Sequence, residues 1–206
     1  MGHYVATEPL MSRIIAGAAR GLTLASPRGD RTRPTTDRTK EAVFSTLVSW
    51  AGPEQLAGLS FLDLFAGSGS VGLEAASRGA DRVVLVENHP ATAQLIRRNA
   101  DAVRRAVPGC TIEVVTATAQ AFLGRSASPA ERFDVIWADP PYALPNADIA
   151  ALLGQVLVNG WLADDGLVVV ERSARGEPFA WPDALGVQWD KDYGETRIRY
   201  ARADIG

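Results

Sequence analysis

The sequence of 206 residues predicts one doubly wound α/β domain, with a mostly parallel sheet of seven strands preceded by a small β-hairpin and a helix. From residue 59 onward, short apolar runs alternate with segments of helical periodicity, which is typical of a parallel sheet covered by helices on both faces. The first apolar run leads directly into a glycine-rich turn and a helix, the usual start of such a fold.

The segment before the sheet, residues 12–52, is predicted to form the hairpin and the helix. Apolar pairs within residues 14–24 flank Gly17 and Gly21, and glycine adopts the backbone conformations that tight turns require. Thr36 precedes apolar residues at helical spacing, so an N-capped amphipathic helix ending near Trp50 is expected. Residues 1–11 are expected to form a flexible extension.

The body, residues 53–206, is predicted to be one unit, because no linker rich in Pro, Gly or Ser divides it. Two late apolar runs, 187–193 and 196–201, surround Gly194 and predict a closing hairpin. The other predicted strands are 59–65, 82–87, 111–115, 133–138 and 167–171, and the predicted helices lie near 70–78, 90–106 and 146–158.

Charge is distributed unevenly along the chain. Residues 12–40 contain seven Lys or Arg and two acidic side chains, whereas residues 41–206 contain 14 and 21. The overall net charge of -3 argues against a protein that coats nucleic acid indiscriminately. The basic segment favours a local contact with a polyanion such as nucleic-acid phosphates, and a solvated basic tail is the alternative.

Composition excludes several classes of protein. The apolar runs are shorter than the roughly 18 residues of a membrane-spanning helix. The single cysteine, Cys110, cannot form an internal disulfide, and two histidines are too few for the common zinc sites. We therefore expect a cytoplasmic protein without a bound metal.

The glycine turn after the first strand predicts a bound nucleoside cofactor. Gly67, Gly69 and Gly72 follow the spacing GxGxxG at a strand-to-helix junction, and Glu87 follows Gly67 by 20 residues. A carboxylate at that position can accept hydrogen bonds from both ribose hydroxyls. Asp63, just before the turn, would repel a pyrophosphate and suits a cationic amino acid, unless it caps the turn.

A second motif, Asp139-Pro140-Pro141-Tyr142, ends the fourth predicted strand. Together with the glycine turn and Glu87, it resembles the motifs of class I S-adenosyl-L-methionine-dependent methyltransferases that act on amines. An exocyclic amine of a nucleobase is a poor nucleophile, so its lone pair must be aimed at the methyl group. The Asp139 carboxylate and the Pro140 carbonyl can both accept from an NH2 group, and Tyr142 can stack on a base that is unpaired or flipped.

Over residues 12–202 the chain resembles the RsmD family, bacterial enzymes that methylate N2 of a guanine in 16S ribosomal RNA of the small subunit. The likeness is carried by residues 13–17, 20–21, 32–38, 61–69, 73–75, 77–80, 86–87 and 193–196, with Glu41 and Phe44. It implies a Rossmann-like fold, with residues 12–52 docking RNA and residues 53–206 forming the methyltransferase domain. The implied substrate is ribosomal RNA in a small-subunit assembly intermediate, and the implied oligomeric state is a monomer.

The resemblance and the motifs also assign roles to individual residues. The catalytic group is Asp139, Pro140, Pro141 and Tyr142. The cofactor-binding group is Asp63, Phe65, Gly67, Ser68, Gly69, Glu87, Asn88, Thr118 and Ala119. The substrate-binding group is Arg13, Arg20, Arg33, Thr35 and Arg38. Members of the family often carry Asn or Asp where this chain has residues 116–119, so backbone groups would bind the adenine here.

Four alternatives remain at this point. A DNA adenine or cytosine amino-methyltransferase shares both motifs but usually carries a further recognition domain. A protein glutamine methyltransferase resembles Asn-Pro-Pro-Tyr, against which Asp139 counts. A dehydrogenase explains the glycines and leaves the tetrapeptide unexplained. A non-catalytic RNA-binding scaffold would retain the fold and lose methyl transfer.

Overall fold

The computed structural model describes residues 11–27, 36–52 and 56–203. Its strands are β1 (Ser12–Arg13), β2 (Thr23–Leu24), β3 (Ser60–Asp63), β4 (Arg82–Glu87), β5 (Thr111–Thr116), β6 (Phe133–Ala138), β7 (Leu162–Ser173), β8 (Leu185–Tyr193) and β9 (Thr196–Ala203). Its helices are α1 (Asp37–Ala51), α2 (Ser70–Ser77), α3 (Pro90–Arg104), α4 (Ala119–Leu123) and α5 (Asn146–Val158), with a short 3-10 helix at Pro129–Glu131.

The main sheet has seven strands in the order β5-β4-β3-β6-β7-β9-β8. The first five strands of that order, β5, β4, β3, β6 and β7, pair in parallel. The hairpin of β8 and β9 then extends the sheet in antiparallel orientation. The chain runs outward from β3 to β5 and returns to β6 on the other side of β3. The predicted doubly wound, mostly parallel fold is confirmed, and its strand order reverses between β3 and β6.

One apolar layer covers each face of the sheet. On one face, α1, α2 and α3 pack against strand residues such as Phe61 and Trp137. On the other face, α4 and α5 pack against their neighbours Leu62 and Ile136. Successive side chains of each strand therefore enter opposite layers, as expected for a sheet that is buried on both sides.

Apart from shifts of one or two residues at the ends of elements and the short 3-10 helix, the secondary structure departs from the sequence prediction at two points. Helix α4 was not predicted, because five residues are too few to show helical periodicity, and it begins where Thr118 Oγ1 accepts from the amide of Ala121 at 3.1 Å. Strand β7 begins at Leu162, five residues earlier than predicted. The exposed pair Asp164-Asp165 interrupts the apolar pattern there, although Leu162 pairs with Phe133.

Strands β1 and β2 form the predicted amino-terminal hairpin, which is docked onto α2 by buried polar groups. The carboxylate of Glu74, which is fully buried, accepts from the amides of Ile15 at 2.8 Å and Ala16 at 3.0 Å. Arg78 and Lys40 lie 2.7 Å and 3.8 Å from the same carboxylate and balance its charge. The hairpin is thus held in one position relative to the sheet.

Asn99 of α3 links the segment after the hairpin to the glycine turn. Its side-chain amide pairs with both backbone groups of Ala25 and also donates to the carbonyl of Ser68, with all three distances between 2.9 and 3.0 Å. The amino-terminal segment and the glycine turn are therefore parts of one rigid arrangement. Within the described ranges, no helix combines the length and the apolar character needed to cross a bilayer.

Candidate active site

A cavity of about 1160 Å³ opens at the carboxyl ends of the parallel strands. It lies where the strand order reverses between β3 and β6, the position at which open α/β sheets bind ligands. The turns after β3, β4, β5 and β6 all contribute to its wall, as do the end of β7, the turn between β8 and β9, and the start of α1.

The three glycines of the turn after β3 have different roles. Gly67 lines the cavity, and its φ of 56° lies in the left-handed region. Gly69, with φ of 81°, is the N-cap residue of α2. A Cβ atom on Gly72 would lie 2.5 Å from Leu85 Cδ2, so this glycine allows α2 to pack closely against β4. Only the first of the three contacts the cavity.

Glu87 ends β4 at the cavity wall, and its carboxylate is oriented by two backbone amides. One oxygen accepts from Gly67 N at 3.1 Å and the other from His89 N at 2.8 Å. Each carboxylate oxygen has a further lone pair, so the group can also accept from the two hydroxyls of a ribose. Asn88, exposed beside it, lines the same wall.

Asp63 lies behind the glycine turn, and only 1% of its surface is exposed. It accepts from the amides of Phe65 at 3.4 Å and Gly72 at 3.3 Å, so it fastens the two ends of the turn together. Burial raises its pKa to about 7, although these two hydrogen bonds oppose the shift. The geometry is that of a capping residue, and direct contact with a cofactor stays a prediction.

The tetrapeptide Asp139-Pro140-Pro141-Tyr142 follows β6 and lines the cavity with all four residues. Pro140 is buried, whereas Tyr142 is 51% exposed. The tetrapeptide therefore extends from the interior of the site to its mouth, and a base could stack on Tyr142 while its amine reaches Asp139.

Arg172 of β7 clamps the backbone of this segment. Its guanidinium donates to the carbonyls of Pro140 at 3.5 Å and Pro141 at 3.2 Å, and to those of Tyr142 at 3.4 Å and Leu144 at 3.2 Å. A planar fork of donors can hold several carbonyls at once. The clamp fixes the chain around the carbonyl of Pro140, which we predicted to accept a hydrogen bond from the substrate amine.

The inner end of the site is acidic. Burial raises the pKa of Asp139 well above its ordinary value, the nearby carboxylates of Glu171 and Asp63 raise it further, and Arg172 lowers it. Glu171 is 5% exposed and lines the cavity. The described residues contain no group of three or more His, Cys, Asp or Glu that could hold a metal ion.

The lining fits a cationic nucleoside cofactor such as S-adenosylmethionine. It includes five acidic residues, Glu87, Asp139, Asp148, Glu171 and Glu195, while no described lining residue is Lys or Arg. A pyrophosphate would find no Lys or Arg among the described residues of this wall, whereas its carboxylates favour a sulfonium or an ammonium. Glu87 would hold the ribose, and the apolar wall that includes Leu64 and Val86 would cover the adenine.

The turn after β5 borders the predicted adenine site. Ala117, Thr118 and Ala119 line the cavity, and the Ala117 amide donates to the carbonyl of Glu87 at 3.1 Å. Thr118 uses its hydroxyl to cap α4, so its side chain already has a structural role. Of the predicted cofactor-binding residues, Phe65, Gly67, Glu87, Asn88, Thr118 and Ala119 line the cavity, and Asp63, Ser68 and Gly69 support it from behind.

The predicted substrate-binding arginines lie outside the cavity lining. Arg13 is exposed and pairs with Asp37 at 2.8 Å. Arg20 is exposed on the hairpin turn, and Arg38 is exposed in the first turn of α1, between the cavity-lining Thr36 and Thr39. Arg33 and Thr35 were also predicted to bind substrate, and they lie outside the described residues.

Sequence reasoning missed several parts of the site, including the face of α5 that contributes Asp148, Ala151, Leu152 and Gln155 to the cavity wall. Glu171 and Arg172 come from the end of β7, and the turn at residues 193–196 contributes Tyr193, Glu195 and Thr196 to the cavity wall. The turn was noticed as part of the family likeness without a role. The available signal was the charged pair Glu171-Arg172 that follows the apolar residues 167–170, since the end of a parallel strand lies at the carboxyl edge of the sheet.

Comparison with known proteins identifies relatives of this chain over almost its whole length. Residues 12–202 match the sequence model of the family described as "Conserved hypothetical protein 95". The chain is 35% identical to "Ribosomal RNA small subunit methyltransferase D" of Escherichia coli K12 over 187 residues, which cover 91% of this chain and 87% of that protein.

Solved structures share the fold. The structure titled "Putative methyltransferase yhhF from Escherichia coli" superposes with a TM-score of 0.77 at 29% identity, covering 94% of this chain and 98% of that one. An RNA methyltransferase from Salinibacter ruber, in complex with S-adenosyl-L-homocysteine, superposes with a TM-score of 0.59 at 15% identity, covering 84% and 95%. At that identity the second likeness concerns the fold alone.

Proposed function

Because the chain belongs to the family described as Conserved hypothetical protein 95, the RsmD family, we propose that it methylates the N2 amine of a guanine in 16S ribosomal RNA, with S-adenosylmethionine as methyl donor. The family and the fold support the coarser statement, a methyltransferase that uses S-adenosylmethionine and acts on ribosomal RNA. The choice of guanine and of its N2 amine is the finer part of the proposal.

The observation that carries the proposal is the position of the tetrapeptide. Asp139 and the carbonyl of Pro140 lie in the same cavity as Glu87, so an amine held by the first two faces a cofactor whose ribose is held by the third. The Arg172 clamp keeps the acceptors in place before the substrate arrives, so little reorganisation is needed during the reaction.

The main contribution of the protein to methyl transfer is to position the amine and the methyl donor. When bound, S-adenosylmethionine supplies an electrophilic methyl group on a positively charged sulfur. Asp139 and Pro140 orient the NH2 group so that its lone pair faces that methyl carbon. With the cofactor bound, the amine would take the methyl group and leave S-adenosylhomocysteine, and the nitrogen would then lose one proton, which Asp139 is placed to accept. A cation in this acidic cavity favours the ionised carboxylate, which is the better acceptor.

We assign RNA docking to residues 12–52 and methyl transfer to residues 53–206. The exposed Arg20 and Arg38 belong to the first segment, and exposed arginines suit contacts with the phosphates of the RNA backbone. An amine within a duplex cannot reach Asp139, so the target guanine is unpaired or flipped when it binds.

The proposal is tested by labelled-methyl transfer to ribosomal RNA. Small subunits, their assembly intermediates and naked 16S RNA from cells lacking the protein are incubated with the enzyme and tritium-labelled S-adenosylmethionine, and the RNA is digested for mass spectrometry. We expect one N2-methylguanine that is absent from the untreated RNA. Label on N1 or N7 of guanine, on another base or on ribosomal protein alone would contradict the proposal.

A further inference from the structure

A buried carboxylate, that of Glu171, lies beside the group that we assign to the amine. Ala138 of β6 pairs with Val170 of β7 in parallel register, so the next residues, Asp139 and Glu171, leave the sheet side by side. Both line the cavity. Glu171 is the charge that most affects Asp139, which agrees with their placement at the inner end of the site.

Glu171 and Arg172, near the end of β7, have different contacts. Successive side chains of a strand point to opposite faces, so Glu171 and Arg172 leave β7 on different sides. Arg172 binds the backbone of the tetrapeptide. Glu171, only 5% exposed, instead contributes to the wall of the cavity next to Asp139.

The nucleobases that carry an exocyclic amine differ in the atom next to that amine. In guanine the adjacent ring nitrogen N1 carries a hydrogen, whereas in adenine and cytosine the ring nitrogen beside the amine on the pairing edge has a lone pair. An ionised carboxylate can only accept hydrogen bonds. A buried carboxylate beside the amine site therefore attracts the guanine edge and repels the other two.

The attachment of the base to the polymer sets its orientation. The ribose of the target nucleotide stays joined to the RNA chain outside the cavity, so the sugar side of guanine faces the mouth, where Tyr142 is exposed. N1 lies on the other side of the N2 amine, away from the sugar. It therefore faces inward, toward the end of the site that contains Glu171.

We infer that Glu171 accepts a hydrogen bond from N1–H of the target guanine and makes the site selective for guanine. The inference rests on the proposed function and deepens it, since it names the residue that reads the base. Asp139 and Pro140 would hold any amine of suitable shape, and Glu171 adds the requirement for a donor beside that amine.

The experiment compares two guanine analogues at the methylated position, once mass spectrometry has located it. Semisynthetic 16S RNA carries guanine, 2-aminopurine or 7-deazaguanine there and is assembled into the particle that the enzyme accepts. 2-Aminopurine keeps the amine at C2 and lacks N1–H, and 7-deazaguanine keeps both donors. The wild-type enzyme should discriminate against 2-aminopurine by roughly a hundredfold or more in kcat/KM, and it should accept 7-deazaguanine almost as well as guanine.

The Glu171→Gln variant should lose most of this discrimination, because the glutamine amide can donate to the bare N1 of 2-aminopurine. We expect the guanine to 2-aminopurine ratio to fall by about tenfold or more. The matched control is Glu113→Gln, which removes an exposed carboxylate from β5 and should leave the ratio unchanged. Calorimetric binding of S-adenosylmethionine verifies that each variant is folded.

Two results would overturn the inference: equal methylation of guanine and 2-aminopurine by the wild-type enzyme, or an unchanged ratio in Glu171→Gln. The first comparison needs no variant, so it holds even if Glu171→Gln is unstable. Failure of the proposed function would be distinct. In that case mass spectrometry would find no N2-methylguanine, and there would be no position at which to place the analogues.

Discussion

Asp63 illustrates how burial at the base of the site affects stability. Because its pKa is about 7 in the folded protein and 3.8 ordinarily, the folded state keeps a proton that the unfolded state releases between these pH values. The free energy of unfolding should therefore fall as pH rises from about 4 to about 7, by up to about 4 kcal/mol from this one group. Above pH 7 the loss is complete.

The Asp63→Asn variant tests this effect. Its free energy of unfolding should change less with pH than that of the wild-type protein, so the difference between the two should shift toward the variant as pH rises from 4 to 8. Urea unfolding at a series of pH values from 4 to 8 measures both curves. Asp101→Asn, on the exposed side of α3, is the control. Parallel curves for Asp63→Asn and wild type would show that Asp63 ionises normally.

Arg172 should control the rate of methyl transfer without contacting the substrate. Arg172→Ala removes all four carbonyl contacts, so we expect the single-turnover rate to fall by roughly a hundredfold, while the Kd of S-adenosylmethionine changes little. Arg172→Lys should recover part of the rate, because an ammonium can satisfy some of the carbonyls.

A purely structural role for Arg172 would give a different pattern. Both variants would then lose thermal stability and cofactor affinity together, and Arg172→Lys would show no selective recovery of rate. Arg105→Ala, at the exposed C-cap of α3, is the control for removing an arginine from this protein. It should leave rate and affinity unchanged.

The contact between α2 and β4 depends on Gly72. Gly72→Ala places a methyl group 2.5 Å from Leu85 Cδ2 and 3.2 Å from Val83 Cγ1, so these side chains must move. We expect a loss of about 1–3 kcal/mol in the free energy of unfolding. Gly154→Ala is the control, since nothing lies within 4 Å of its Cβ position in α5, and it should stabilise the protein by about 0.5–1 kcal/mol. Equal effects of the two substitutions would contradict the packing role of Gly72.

The sequence was sufficient to predict most helices and strands, because β3 to β6 and α1 to α3 bury regular apolar patterns. It was insufficient for α4, which is defined by the Thr118 cap, and for the start of β7, where Asp164-Asp165 masks the pattern. The same distinction applies to the site. The tetrapeptide and Glu87 are visible as local motifs, whereas Arg172 contacts carbonyls about 30 residues away along the chain. Only the folded sheet brings those groups together.

The whole molecule combines an acidic cavity with a basic amino-terminal segment. The buried contacts of Glu74 and the bridge through Asn99 fix the hairpin and Ala25 relative to the glycine turn. RNA bound by the hairpin would therefore be held at a constant distance from the cofactor. This separation of charge lets one small domain attract a polyanion and also hold a cation.

Charge reversal tests the RNA-docking role. Arg20→Glu and Arg38→Glu should each weaken RNA binding at low salt and make the affinity less dependent on salt, because fewer counterions are released. Fluorescence anisotropy with labelled 16S RNA fragments measures both quantities. Arg105→Glu changes the net charge equally at an exposed site outside residues 12–52, so it is the control. If all three variants lose the same affinity, the effect comes from net charge and the docking assignment is wrong.

The most direct test of whether Asp139 holds the substrate amine is single-turnover methyl transfer by two variants, Asp139→Ala and Asp139→Asn. Calorimetry measures cofactor binding by the same variants. Asp139→Ala removes the acceptor at the tip of β6, so its rate should fall by about a thousandfold or more, while the Kd of S-adenosylmethionine stays within a few-fold. Asp139→Asn keeps an acceptor oxygen and should be the faster of the two. Wild-type turnover in Asp139→Ala would contradict the assignment of this carboxylate to the amine.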